Sequence, residues 1–357
     1  MEIEISTDVI VSGLLPLKTV ISEKTLIPIL ECVKIECYEG ALFFTGDNQE
    51  VNCVNIIEAG LFDKFSFCVK YSTFAVLINN LSSQLIHLII KEGEILVKHR
   101  NGSFKLPTFA IEDFPKPRTE EMSGVAKING ESIKRSLKVA NRFTLNNEME
   151  PMANISIEIG KKIVIRSTNK STLFKETLKG KGDETLLLIS GKASSALVDL
   201  LDDKKVKIHY SSNLVTLTSD SFEMTVIQQE GQFPIAMFDR IADNAQEGIR
   251  LKVEQKHLLE ALKRLAVITD SATNKVKFTI SKKKLLITSD NKAQSTIAHE
   301  IMKSKFKGEV ELGYNLRFLV EVLTVIGEDT SFEIAENGLL YMKNGERTGI
   351  VSPMLLD

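Results

Sequence analysis

The stretch ISIEIGKKIVIRSTNK, residues 155–170, consists of two runs of alternating apolar side chains around the polar turn Gly160-Lys161. Alternation with a period of two is typical of strands with one buried face, so the two runs predict a β-hairpin. The pattern recurs as VKIECYEGALFFTGDN at residues 33–48 and as VKFTISKKKLLITSDN at residues 276–291. Corresponding positions of the three hairpins are 122 and 121 residues apart. We interpret this spacing as an internal repeat.

A helical stretch comes before and after each hairpin, so one order of elements occurs three times. Apolar residues at helical spacing, such as Leu258, Leu262 and Leu265, give these stretches a hydrophobic face. The six stretches are residues 7–22, 71–81, 131–144, 191–203, 254–269 and 313–327. Helices beside largely antiparallel hairpins predict an α+β fold of three tandem domains, each with two helices on a sheet layer. The expected domains are residues 1–122, 123–246 and 247–357.

Composition excludes several classes of protein. The 357 residues are 43% hydrophobic and 26% charged, which argues against intrinsic disorder. No apolar run approaches the roughly 18 residues of a membrane span, and acidic residues occupy the N-terminus, where a secretion signal needs positive charge. We therefore expect a cytoplasmic protein. The cysteines form no Cys-x-x-Cys pair, and we expect reduced, partly buried thiols.

The net charge of −2 argues against nucleic-acid binding through bulk basicity. Counted over residues 8–24, 70–84, 132–144, 190–203, 252–266 and 313–327, which contain most of each helical stretch, the charge is nevertheless +5, which leaves −7 for the rest of the chain. Lys134, Lys138 and Arg142 repeat at four-residue spacing, opposite the apolar side chains of their helix. Such a stripe can follow phosphates or can be an ordinary solvated face. No aromatic residues interleave with it, so a stacking platform for single strands is not expected.

Common catalytic motifs are absent from the sequence. There is no Gly-x-Gly-x-x-Gly, His-Glu-x-x-His or Gly-x-Ser-x-Gly pattern. Lys192 follows a glycine, but Leu186 and Ala193 stand where a phosphate-binding loop needs Gly and Ser or Thr. The histidines are isolated, and the acidic residues between 199 and 203 are typical of a solvated turn. We expect no catalytic site, no cofactor and no metal.

The repeat and several short segments together resemble the bacterial sliding clamp, the β subunit of DNA polymerase III. The resemblance covers essentially the whole chain. The segments that carry it are KTLIPIL at residues 24–30, Thr45-Gly46-Asp47, DFP at 113–115, QFP at 232–234, GYNLRFLVEVL from Gly313 and the chain end IVSPMLLD. Each segment is weakly specific alone, and the colinear series is strongly specific.

The resemblance implies a DNA clamp fold and a homodimeric ring of six domains, joined head to tail, around duplex DNA. Such a ring binds DNA without sequence preference and tethers DNA polymerase III for processive replication at the nucleoid, so it is not an enzyme. The implied partners are the polymerase α subunit, the clamp loader and other proteins with a clamp-binding motif. A ring that slides needs weak phosphate contacts, which the modest helix charge suits.

Three sets of site residues follow from positions in the family. The residues expected to face DNA are Lys24, Lys134, Lys138, Arg142, Lys192, Lys256, Lys263 and Arg317. The residues expected in an apolar groove for partner peptides are Ala153, Thr168, Leu173, Pro234, Ile241, Asn315, Phe318, Met342, Ile350, Val351, Ser352, Pro353, Met354 and Leu355. The residues expected at the dimer interface are Phe104, Leu106, Val267 and Ile268, although these four could equally be core residues.

The groove departs from the family pattern. The family has Thr-Asp-Gly-His-Arg-Leu where this chain has TNKSTL at residues 168–173, and its terminal Met-Pro-Met-Arg-Leu is SPMLL at residues 352–356. The segment after Phe233-Pro234 is also longer than in the family. A divergent second clamp, or a scaffold that recruits repair or accessory proteins, is therefore an alternative. A third possibility is a nucleic-acid-processing enzyme with an unrecognised site.

Overall fold

The computed structural model describes residues 1–22, 25–61, 64–145, 150–291 and 293–356. The chain forms two compact units. The first unit contains Met1–Lys138, Glu158–Lys162 and Lys179–Gln229, and the second contains the remaining segments from Val139 onward. The expected boundaries after residues 122 and 246 stay predictions.

Seven α-helices occur in the described part of the chain. They are α1 (Thr7–Leu14), α2 (Tyr71–Asn79), α3 (Gly130–Ala140), α4 (Gly191–Leu200), α5 (Ile235–Gln246), α6 (Gln255–Leu265) and α7 (Leu316–Ile326). Six of them fall within the predicted helical stretches or within one residue of them. The exception is α5, which the sequence analysis does not predict.

Strands β1 to β13 lie before residue 183. They are β1 (Glu2–Ser6), β2 (Cys32–Tyr38), β3 (Gly40–Asp47), β4 (Val51–Leu61), β5 (Phe65–Lys70), β6 (Leu85–Lys91), β7 (Glu94–His99), β8 (Gly102–Phe109), β9 (Gly124–Asn129), β10 (Asn154–Ile159), β11 (Ile163–Thr168), β12 (Thr172–Leu178) and β13 (Gly180–Gly182).

Strands β14 to β26 complete the sheets. They are β14 (Thr185–Ser190), β15 (Lys205–Tyr210), β16 (Leu214–Thr218), β17 (Phe222–Ile227), β18 (Ile249–Leu251), β19 (Lys275–Ile280), β20 (Lys284–Asn291), β21 (Thr296–Lys303), β22 (Val310–Asn315), β23 (Ser331–Ile334), β24 (Leu340–Asn344), β25 (Arg347–Val351) and β26 (Pro353–Met354).

The first unit contains one continuous antiparallel sheet. Its strand order is β1, β6, β7, β8, β5, β2, β3, β4, β17, β16, β15, β9, β13. β2 and β3 form the first predicted hairpin, with Glu39 (φ 52°) and Gly40 (φ 82°) in the left-handed conformation that a tight two-residue turn requires. β4 pairs with β17, with Asn55 opposite Phe222, so the strands of the first and second predicted repeats share one sheet.

The second unit contains two sheets. One includes, in this order, β11, β12, β25, β24, β23 and β18, and the other has the order β21, β20, β19, β22, β26. β19 and β20 form the third predicted hairpin, in which Phe278 lies opposite Ile287. β12 pairs with β25, which joins strands of the second and third predicted repeats. Antiparallel sheets with helices packed on them confirm the predicted α+β class.

The predicted apolar helix faces are buried. Ile133, Leu137 and Ala140 of α3 are fully buried, and so is the Leu258, Leu262 and Leu265 face of α6. Within the second unit, the Gln255 side-chain amide of α6 donates to the Leu323 carbonyl of α7 at 2.7 Å. Burial of one apolar face therefore fixes which face of each helix points to solvent.

All four cysteines lie in the described part of the chain, where they are buried and form no disulfide bond. The structure has no helix, among the residues it describes, that is long and apolar enough to cross a membrane. The same residues include no group of three or more His, Cys, Asp or Glu side chains placed to hold a metal ion.

Candidate functional site

The register of four adjacent strands, β11, β12, β25 and β24, places several expected groove residues side by side. Leu173 of β12 lies opposite Thr168 of β11 on one side and opposite Ile350 of β25 on the other. Ile350 in turn lies opposite Tyr341 of β24. Residues far apart in the sequence thus form one strip across the sheet.

The same strip is part of an apolar cluster beside α5. Ala242, Ala245, Ala335, Leu339, Tyr341 and Ile350 form its buried part, and the half-buried Leu173 and Ile241 pack against it. Three of the expected groove residues, Leu173, Ile241 and Ile350, therefore belong to one cluster or pack against it. The cluster brings together β12, β25 and the unpredicted helix α5.

A second group of expected groove residues surrounds the start of α7. The Asn315 side chain accepts a hydrogen bond from the Phe318 backbone N–H at 3.2 Å and caps the helix. Directly before them on β22, Gly313 and Tyr314 pair with Met354 and Pro353 of β26. The chain end is thereby held against this helix start, with Leu355 91% exposed.

Not every expected groove residue presents its side chain. Met342 and Val351 are fully buried, Thr168 is 2% exposed and Ala153 is 6% exposed. Thr168 also donates its hydroxyl to the Thr172 carbonyl at 2.7 Å. These four side chains are therefore part of the core on which the strip rests, and they are not part of its exposed surface. Pro234 and Ser352 are half-buried.

The turn that departs from the family pattern is tightly organised. Asn169 Oδ1 accepts hydrogen bonds from the backbone N–H groups of Ser171 and Thr172. Lys170 stands where the family has glycine, and it adopts φ 73°, the left-handed conformation that glycine favours. A non-glycine residue there costs about 1–2 kcal/mol. The Lys170 ammonium lies 2.7 Å from the Glu150 carboxylate, so its charge is paired.

The sequence analysis missed Asp239 of α5, which holds this helix against β11 and β12. Its carboxylate accepts hydrogen bonds from Arg166 Nε and Nη2 at 3.2 and 3.0 Å and from Lys175 Nζ at 2.7 Å. Although burial disfavours its charge, the bonds from Lys175 and Arg166 hold the pKa of Asp239 below its usual range. Apolar residues at 238, 241, 242 and 245 follow helical spacing and could have revealed α5.

The expected DNA-facing residues lie mostly on exposed helix faces. Lys24 lies outside the described residues. Exposed positions are occupied by Lys138, Arg142, Lys192, Lys256, Lys263 and Arg317. Lys134 differs from these, because it is half-buried and donates from Nζ to the Leu201 carbonyl at 2.7 Å, at the end of α4. Burial raises the pKa of the Glu321 carboxyl above its usual value. The positive charges of Arg142 and Arg317 oppose this rise only in part.

The expected interface residue Phe104 lies on an incompletely paired strand. β8 pairs with β7 from Gly102 to Pro107 and with β5 only at Thr108 and Phe109. The other edge of Gly102–Pro107 has no strand partner among the described residues. Phe104 is 43% exposed and stacks on His99 with the ring centroids 5.6 Å apart. Leu106 is half-buried.

The second pair of expected interface residues follows α6. Val267 is 81% exposed and Ile268 is half-buried. Beside this helix runs β21, which in the described part of the chain pairs only with β20. Arg264 of α6 joins the two elements through hydrogen bonds of 2.7 and 2.9 Å to Glu300 of β21. Sequence reasoning missed Ile297 and Ile301 of β21, which are 73% and 54% exposed.

Two family models match the chain. The model of the DNA polymerase III beta subunit, N-terminal domain, matches residues 1–118, and that of the C-terminal domain matches residues 244–335. The two matches together span more than half of the chain. The chain belongs to the DNA polymerase III beta subunit family. The resemblance predicted from the sequence is thereby confirmed.

Individual members of the beta subunit family are similar over nearly the whole chain. The beta sliding clamp of Pseudomonas aeruginosa is 23% identical over 94% of this chain and 95% of its own length. That of Chlamydia pneumoniae is 21% identical over 86% of this chain and 85% of its own length.

Solved structures of sliding clamps share the fold. The Pseudomonas aeruginosa clamp bound to griselimycin superimposes with a TM-score of 0.92 at 21% identity, over 100% of both chains. The Helicobacter pylori beta clamp bound to a DNA ligase peptide gives a TM-score of 0.89 at 16% identity, again over 100% of both chains. The predicted clamp fold is confirmed.

Replacing Asp239 with asparagine tests how α5 is held. The substitution leaves the buried Arg166 beside a neutral amide, and we expect the free energy of unfolding at pH 7 to fall by about 1–3 kcal/mol in urea titrations. Folding lowers the pKa of Asp239. Its stabilisation is therefore present above its unfolded pKa and is lost as the pH falls through the folded value. The wild type and the variant should converge in acid.

The matched control is Asp243→Asn, which removes an exposed carboxylate from the same helix. We expect its unfolding free energy to stay within about 0.5 kcal/mol of the wild type. Equal losses in both variants would show that the ion pair does not hold α5.

Proposed function

We propose that the protein is a DNA sliding clamp: a homodimeric ring, joined head to tail, that encircles duplex DNA. Membership of the beta subunit family supports this proposal. The observation that carries it is the pair of open strand edges, β8 over Gly102–Pro107 and β21, each with exposed apolar side chains. In our proposal, the three repeats with boundaries after residues 122 and 246 are the domains of the ring.

The open edges of β8 and β21 suit a closed dimer. An edge strand exposes unpaired N–H and C=O groups and readily pairs with another strand. If β8 of one protomer adds to β21 of the other, two identical interfaces close the ring. Phe104 and Leu106 would then lie near Val267 and Ile268, and near Ile297 and Ile301.

We propose that the exposed helix cations face the DNA. Lysine and arginine side chains in this arrangement contact phosphates, which carry no sequence information directly. The six exposed cations are spread over α3 and the turn after it, α4, α6 and α7, so each phosphate contact is individually weak. Weak contacts permit sliding, and the function needs no catalytic site.

We propose that the cluster around Leu173, Ile241 and Ile350 receives a short peptide of a partner protein. A peptide of DNA ligase is bound to the Helicobacter pylori clamp. Apolar anchors of an extended segment would fill the cluster, and the exposed end at Leu355 would cover them. The partners in this proposal are the DNA polymerase III α subunit, the clamp loader and other proteins with a clamp-binding motif. The protein would bind them in the cytoplasm, at the nucleoid.

A second candidate function is that of a specialised clamp that recruits repair or accessory proteins. The turn around Lys170 favours it, because a charged side chain stands there on a left-handed backbone, at the position where the family pattern has glycine. Partner selection is the property that such a change would alter.

Val267→Asp tests the interface. A charge on a side chain that is 81% exposed in the single chain leaves folding intact but opposes burial between protomers. We expect light scattering to give 39.8 kDa for the variant and about twice that mass for the wild type. Val76→Asp, at a 61% exposed position on α2, should remain dimeric. A dimeric Val267→Asp protein would contradict the interface.

Lys256→Glu with Lys263→Glu tests the DNA face. Both lysines are exposed on α6, and reversing their charges replaces attraction to phosphates by repulsion. We expect the half-life on nicked circular DNA to fall at least fivefold. A double variant with the same charge change on exposed strand and loop positions, Lys116→Glu with Lys181→Glu, should keep the wild-type half-life. Equal half-lives for all three proteins would mean that α6 does not face DNA.

Leu173→Ala tests the groove. Removing the apolar side chain should weaken binding of the polymerase's clamp-binding peptide about tenfold, measured by fluorescence anisotropy, which corresponds to about 1.4 kcal/mol. Thr177→Ala on the same face of β12 should bind like the wild type. If the wild type does not bind this peptide but binds one from a repair protein, the second candidate function is supported.

A further inference from the structure

A cavity of about 720 Å³ lies in the second unit, away from the cluster around Leu173. Basic residues dominate its charged lining: Arg250 and Lys252 follow one strand edge, Lys283 lies in the β19–β20 turn, and Lys303 and Lys305 lie at the end of β21. The volume is in the range of small-molecule sites. Neither the DNA face nor the peptide groove of the proposed clamp uses these residues.

Few carboxylates balance these cations. Glu333 lies opposite Arg250 in the β18–β23 pair and partly compensates its charge. Glu254 also lines the cavity, but its carboxylate lies 3.0 Å from His257 Nδ1. None of the four lining lysines is within 4 Å of a carboxylate in the part of the chain that the structure describes. Four lysines therefore line one cavity, and none of them is paired with a carboxylate among the described residues.

Strand pairing places like charges directly opposite each other at this cavity. Lys252 and Lys305 form an isolated two-residue bridge, in which each backbone N–H donates to the other's carbonyl at 2.9 and 3.0 Å. Lys303 likewise lies opposite Lys284. Like charges at directly opposite positions destabilise a sheet, and local conflicts of this kind concentrate at functional sites. A bound anion would remove the conflict.

The hydrogen-bonding groups also specify the ligand. The backbone groups of Lys252 and Lys305 are occupied by their mutual bridge, so a peptide cannot add there as a further strand. Lysine ammonium groups only donate, so they need a ligand rich in acceptor oxygens. A nucleic-acid strand requires cations arranged along its backbone, whereas these lysines line a single cavity. Several phosphate groups in one small molecule meet all three conditions.

We propose that this cavity, the lysine pocket formed by Lys252, Lys283, Lys303 and Lys305, binds an oligophosphate group. The group is either the phosphate chain of a nucleotide or a free inorganic oligophosphate. The proposal does not rest on the clamp function, since it depends only on residues of the second unit. Lys303 is the last residue of β21, the strand whose edge is proposed to pair between protomers.

Titration calorimetry of the full chain with inorganic tripolyphosphate and with ATP, without divalent metal and at low salt, tests the proposal. We expect saturable binding of at least one of the two, weakened by added salt, and a rise in the unfolding temperature on binding. Binding of tripolyphosphate alone identifies a free oligophosphate as the ligand. Tighter binding of ATP identifies a nucleotide.

The variant Lys252→Gln with Lys305→Gln separates binding from folding. It removes the like-charged pair, so the unliganded variant should unfold at the same or a higher temperature than the wild type. Its affinity for the bound probe should fall at least tenfold. The control Lys161→Gln with Lys162→Gln has the same charge change at an exposed turn and should bind within twofold of the wild type.

Three results would overturn the proposal. The first is that neither probe binds at millimolar concentration. The second is that Lys252→Gln with Lys305→Gln binds as tightly as the wild type. The third is that a ten-residue oligothymidylate or an acidic peptide binds in a Lys252- and Lys305-dependent manner while neither oligophosphate probe does.

Discussion

Backbone pairing at strand edges is the constraint on which the rest of this protein depends. An edge carries N–H and C=O groups that need partners, so the edges of one repeat must be completed by another. β4 pairs with β17, and β12 pairs with β25. β8 over most of its length, and β21, are left with one neighbour each in the described chain. The proposed head-to-tail dimer is the arrangement that completes these two edges.

The β12–β25 pairing also creates the candidate groove. It sets Leu173 opposite Ile350, and α5 adds Ile241 to the same apolar cluster. The position of α5 depends on the Asp239 carboxylate, which compensates the buried Arg166. Hydrogen-bonded strands, an ion pair and apolar packing thus fix one surface. The turn at Lys170 adds a charged side chain on a left-handed backbone, where the family pattern has glycine.

Positive charge is arranged in two different ways in this near-neutral chain. The exposed helix cations are spread out, which suits weak and non-specific contact with a long polyanion. The lysine pocket instead gathers four cations around one cavity and accepts like charges across paired strands. The first arrangement favours movement along a ligand, and the second favours retention of a small one. Net charge reveals neither, because it sums over the whole chain.

Local patterns in the sequence by themselves determined the hairpins, six of the seven helices and the α+β class. The buried face of α6, for example, follows from the spacing of Leu258, Leu262 and Leu265, because helical periodicity is a property of neighbouring residues. Helix α5 was missed although its apolar residues have the same spacing, since two of them are alanines that contribute little hydrophobic signal. The family resemblance supplied the candidate site residues.

Only the tertiary structure decided which of those residues meet and which are accessible. Leu173 and Ile350 are neighbours through a strand pairing that no local pattern encodes. Met342 and Val351 are fully buried, whereas Val267 is 81% exposed, although all three are apolar. Lys252 and Lys305 likewise meet across an isolated bridge. Periodicity depends on bonds along the chain, whereas contact and exposure depend on which distant segments pack together.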